Sequence, residues 1–204
     1  MNTETAAAAA NPYQPPQAPL ADVGSVAEES LYVVAPWKFL TMAIVTMNIY
    51  SLYWFYKNWA LLNRRHQAYW PVPRAIFAVF FTHSLFEEID GRVRRSGNTF
   101  AWSPRGAATL YVICAIVSGA ASRMNSAVLD ARFSQVLVLG LLAPMIFAMY
   151  RAQLAINVAE GDAQGARNSE LTAANILWLV LGGMWWALVL FGTYLILTGR
   201  ALAN

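Results

Sequence analysis

Cysteine is nearly absent from this 204-residue chain: Cys114 stands alone in an apolar run. Neither a disulfide nor a thiolate metal site can form within one copy. Histidine occurs twice, at His66 and His83, and metal sites normally take three or four protein ligands, so no metal or other cofactor is expected. Charged residues make up only 12% of the chain, about half the share in an ordinary soluble domain. Lys and Arg are missing from the first thirty residues, which therefore lack the positive start of a secretory signal. No phosphate loop and no nucleophile–base constellation is recognisable, so an enzyme is not expected. The net charge of +3 comes from basic residues flanking apolar segments, which points to membrane topology and away from nucleic acid.

Asp, Glu, Lys, Arg and His are all missing between Leu171 and Gly199, about 29 residues, enough to cross a bilayer with tilt to spare. Mean hydropathy is +0.41, in keeping with several buried segments. The chain reads as an all-α integral membrane protein with one helical membrane domain over residues 31–204. Residues 1–30, rich in Ala and Pro and carrying Glu4, Asp22, Glu28 and Glu29, read as a disordered acidic tail. Such an arm serves as an inert tail or as a docking site for a partner.

Four full transmembrane helices are expected, over about 37–56, 107–122, 133–149 and 173–198. A short apolar helix at about 73–95 is expected to be re-entrant or interfacial; the alternative is five transmembrane helices. Pro36 suits a helix start, and Trp37 and the Tyr50–Trp59 aromatics suit two membrane interfaces. In the short helix, Glu88–Arg92 and Asp90–Arg94 are spaced for i,i+4 pairing. If the short run does not cross, the 14 Lys and Arg divide ten to four; if it crosses, seven to seven. The positive-inside rule then favours four spans with both termini outside.

The string Thr46-Met47-Asn48-Ile49-Tyr50, followed by Tyr53-Trp54-Phe55-Tyr56, resembles the marker of a family of bacterial multi-pass inner-membrane proteins of unknown function. Asn48 stands where that family usually has glycine. The likeness continues through Arg74-Ala75-Ile76-Phe77 and Ser84-Leu85-Phe86, with a weaker echo from Asn168 to Trp186. It implies a bacterial inner-membrane location and no particular activity.

His83 and Glu87 share a helix face and are spaced to ligate a metal or relay a proton; a solvated helix end is the plainer account. Arg151, Gln153, Asn157 and Asn175 lie beside the fourth and fifth segments, either as interhelical glue or along a solute path. Gly182 and Gly183 leave a groove on the last span, with Trp185 and Trp186 near its middle, suited to packing or to a partner. The expected role is an interaction, scaffold or accessory component of the inner membrane, with the bilayer and a second copy or membrane-protein partner as its contacts. A small-solute transporter or channel component is the alternative.

Overall fold

The computed structural model describes residues 31–66, 69–124 and 129–198; the acidic tail at 1–30 lies outside the described residues. These are all-helical: α1 (Pro36–Val45), α2 (Tyr50–His66), α3 (Pro71–Ile76), α4 (Ala78–Arg95), α5 (Pro104–Ala121), α6 (Ala131–Ala159) and α7 (Ala173–Leu197), with a 3-10 turn at Ala166–Asn168. Three of them, α5, α6 and α7, are long and apolar enough to cross a membrane.

The expected continuous helix at 37–56 is instead two helices. Pro36 opens α1, and the helix stops after ten residues, about 15 Å or half the thickness of a bilayer core. Met47 and Asn48 then adopt left-handed backbone, at φ 49° and 65°. Asn enters that region more readily than most residues, which suits the turn. The Asn48 N–H bonds back to the Ala43 carbonyl at 2.7 Å, closing α1. Thr46 donates its hydroxyl to the Met42 carbonyl at 2.7 Å and accepts from the Tyr50 N–H at 3.0 Å, joining the two helix ends. The chain then folds back. The Phe39 ring lies 5.9 Å from Tyr50 and 6.4 Å from Trp54, and the Tyr32 ring lies 5.8 Å from Tyr53. Residues on either side of the turn thus face each other, as in a hairpin.

The short segment at 73–95 is also divided, into α3 and α4 at Phe77. The Arg74 guanidinium lies 4.3 Å from both the Trp59 and Tyr69 ring centres and ties α3 to α2. Arg94 pairs with Asp90 at 2.5 Å as expected, but Arg92 turns away from Glu88 to bond Glu160 at 3.3 Å. The Arg92–Glu160 pair is the more buried of the two.

α5 and α6 run antiparallel. The Ser134 hydroxyl bonds the Ala121 carbonyl at one end, and Arg151 bonds the Ala101 carbonyl at the other. α7 runs back beside α6, with Gln135 donating to Thr193 at 3.0 Å. α6 extends ten residues past the expected end at 149, so Arg151, Gln153 and Asn157 are helical. The amino ends of α1, α5 and α7 and the carboxyl end of α6 therefore gather at one end of the molecule. The α1–α2 turn reaches only the level of Gly182 and Trp186, about 14–20 Å along α7.

Candidate functional site

Residues Leu31–Ala35 run extended into α1; all but the half-buried Tyr32 are buried, Val34 completely. Buried backbone N–H and C=O groups need partners, and among the described residues no neighbouring strand supplies them. Side chains do so instead. Asn58 accepts from the Tyr32 N–H at 3.1 Å, and Gln153 donates to the Tyr32 carbonyl at 3.2 Å. Asn168 donates to the Val33 carbonyl at 2.9 Å, and its own carbonyl accepts from the Ala35 N–H. Asn157 takes both sides of Val34, accepting from its N–H at 3.3 Å and donating to its carbonyl at 2.9 Å. The result is a clasp of amide side chains from α2, α6 and the 3-10 turn.

Gln153 and Asn157, both 0% exposed, lie one turn apart on α6 and bond each other at 2.7 Å. The Trp54 indole donates to the Gln153 side-chain oxygen at 2.6 Å. Gln153 thereby uses its carbonyl and both N–H groups. These two residues hold the chain's own backbone and line neither of the cavities described below. Glu160 closes the clasp by accepting from the Leu31 N–H at 3.1 Å. Burial pushes the Glu160 carboxyl above its ordinary range, while the Leu31 N–H and Arg92 pull it back. Nearby, the backbone N–H groups of Arg167 and Ala166 hold Asp162 below its ordinary range, fixing the loop that carries Asn168. Lys38 reaches the same loop, donating to Asn168 and to the Glu170 carbonyl, both at 2.6 Å.

The other sequence candidates are dispersed. His83 meets only the Thr109 hydroxyl, at 3.1 Å, and Glu87 pairs with Arg105 at 3.1 Å, so each joins α4 to α5 separately. Among the described residues no group of three or more His, Cys, Asp or Glu is placed to hold a metal. Arg151 lies against the Phe100 ring, and Asn175 completes a reciprocal cap with Thr172 at the start of α7. Trp185 is exposed, whereas the Trp186 indole donates to the Ile44 carbonyl at 2.9 Å.

The two adjacent glycines separate in the same way. A Cβ on Gly182 would press on the Val45 carbonyl, with the carbonyl carbon 2.9 Å away, while a Cβ on Gly183 would meet nothing within 4 Å. The small-residue groove is therefore filled by the α1–α2 turn of the same chain. Gly182→Val should lower the melting temperature of the purified protein in detergent, by the equivalent of about 1–3 kcal/mol of overpacking. Gly183→Val should leave it nearly unchanged. Equal effects would show that Gly182 is not held against Val45.

Two cavities meet at the α1–α2 turn. One, of about 520 Å³, runs from Thr46 and Tyr50 to Thr172 and Asn175 at the start of α7. The other, of about 320 Å³, lies between the turn and the α5–α6 pair and includes Asn48, Ser51, Tyr111 and Ser118. Ile49 borders both. Asn48 is only 7% exposed and its side-chain oxygen has no hydrogen-bond partner. The sequence candidates included Gln153 and Asn157 but not their clasp partners Asn58, Glu160 and Asn168, and the turn was absent from them. A polar Thr46-Met47-Asn48 step inside an apolar run and the i,i+4 amides at 153 and 157 were the available signals. Comparison with family models, curated proteins and solved structures found no match, so the reading of the site stands on its geometry.

Proposed function

We propose that this is an inner-membrane interaction or accessory protein whose acidic arm is presented from a fixed root on its basic face. The carrying observation is the clasp, which engages backbone groups from Leu31 to Ala35 and so fixes where residues 1–30 leave the body. The arm has four acidic residues and no Lys or Arg. An anionic leaflet repels such a segment, which favours a basic protein surface as its partner.

The placement proposed for the body has three crossing helices, α5, α6 and α7, with α1–α2 as a re-entrant pair in place of a fourth span. Buried non-helical backbone at membrane depth is tolerated where protein surrounds it, as at Thr46–Ile49. In this arrangement eleven of the fourteen Lys and Arg fall on the amino-terminal side, all but Arg123, Arg132 and Arg200. That division is steeper than the ten to four of a four-span chain, and it puts the amino terminus in the cytoplasm and the carboxyl terminus outside. The bacterial inner membrane as the location follows from the family resemblance.

Reporters active only outside the cytoplasm should be silent when fused before residue 1, after residue 65 and after residue 95, and active near residue 127. An active amino-terminal fusion with a silent one at 65 would mean that α1–α2 crosses. For the arm, a photocrosslinker at Tyr13 should trap a discrete basic protein partner in native membranes, and deletion of residues 2–27 should leave the body folded. Adducts only with lipid, or with this chain's own helices, would overturn the interaction reading.

A further inference from the structure

The solute-path alternative loses Gln153 and Asn157, whose polar atoms are engaged in the clasp, but the turn between α1 and α2 offers a different place for it. The larger cavity extends from this turn to Thr172 and Asn175, at the amino-terminal end of α7. The smaller one extends from the other side of the turn to Ser118, within one helical turn of the carboxyl end of α5. Those ends lie on opposite faces of the helix bundle, because α5 and α7 both start at the same end. Ile49 borders both spaces, so the folded-back tip stands between them.

Neither lining contains Asp, Glu, Lys, Arg or His. An ion entering there would lose water without meeting an opposite charge, which is costly in an apolar surround. The polar side chains lining the smaller cavity are Asn48, Ser51, Tyr111 and Ser118. The buried Asn48 oxygen lacks a donor, and a buried acceptor without one is unfavourable. We infer that the tip divides a path for a small uncharged polar solute, and that the Asn48 side chain is the polar group at the dividing point. The smaller cavity has room for a solute the size of glycerol or urea, since a water molecule occupies about 30 Å³ of liquid. The path rests on the three-crossing placement and is independent of the acidic arm.

The test uses the purified full-length protein in phosphatidylethanolamine–phosphatidylglycerol vesicles, with glycerol and urea as neutral probes and potassium chloride as the charged control. Stopped-flow light scattering should show faster uptake of at least one neutral probe than in protein-free vesicles, with no change for the charged control. Ser118→Trp should return uptake to the protein-free rate. Asn48→Gly, which keeps the left-handed backbone accessible, should weaken the apparent affinity about fivefold, the size of one lost hydrogen bond. Circular dichroism and gel filtration establish that each variant is folded. Equal uptake of both neutral probes with and without folded protein would overturn the inference, as would a full rate in folded Ser118→Trp. The reporter fusions test the placement separately, so either result can fail alone.

Discussion

Gly165→Ala should leave little folded protein in the membrane. Gly165 sits at φ 64°, a conformation that costs an L-residue roughly 1–2 kcal/mol. The larger effect is steric. An added Cβ would fall 2.5 Å from the Val34 carbonyl carbon and 2.5 Å from the Ala35 nitrogen, both backbone atoms of the clasped segment. That segment is held from α2, α6 and the 3-10 turn, so it cannot retreat without breaking several hydrogen bonds. Gly161 supplies the control. It has nearly the same φ, 67°, yet an added Cβ there would meet nothing within 4 Å. Gly161→Ala should therefore lose only the backbone cost of roughly 1–2 kcal/mol. Protein level in membranes and melting temperature in detergent distinguish the two. Matching losses would show that the approach of Gly165 to Val34 does not matter to the fold.

Asn157→Leu is expected to be nearly as damaging, although it preserves size. It removes the partners of the Val34 N–H and the Val34 carbonyl and one partner of the Gln153 amide. Each buried group left unpaired costs about 1–3 kcal/mol, so the sum reaches several kcal/mol. Hydrogen exchange gives the sharper measurement. Amides in 31–35 should exchange much faster, while those in the α5–α6 pair keep their protection. Asn98→Leu, which removes a single exposed bond to the Val158 carbonyl, should change stability by no more than about 0.5 kcal/mol. If 31–35 stay protected in Asn157→Leu, the clasp does not depend on this amide.

α7 was legible in the sequence almost to the residue, and α5 to within three residues. Their apolar lengths are bounded by Ser103 and Thr172, whose side chains cap the helices they precede. α6 was underestimated because Arg151, Gln153 and Asn157 interrupt its hydropathy. Two of those are polar for the sake of a segment more than 120 residues earlier, a relation no local window can register. The turn between α1 and α2 was hidden for the opposite reason. Met47 and Ile49 keep the local hydropathy high, and neither Gly nor Pro marks the break. Trp54 and Trp59 looked like interface residues by composition, yet both are fully buried between helices. Trp186, odd in the middle of a span, serves the Ile44 carbonyl at the end of α1. The partner that an indole N–H needs in mid-span is there, but it belongs to a helix end that the sequence reading did not anticipate.

The clasp also imposes an order on biosynthesis. Leu31–Ala35 leave the ribosome first, but their partners at Gln153, Asn157, Glu160 and Asn168 come more than 120 residues later. Until α6 has been made, the nascent segment has only Asn58 among its clasp partners. The α1–α2 pair must therefore wait, incompletely seated, while about half of the chain is added. Its final locking is an event of late synthesis, and a ribosome stalled within α5 would display an amino-terminal region still open to solvent, chaperones and proteases.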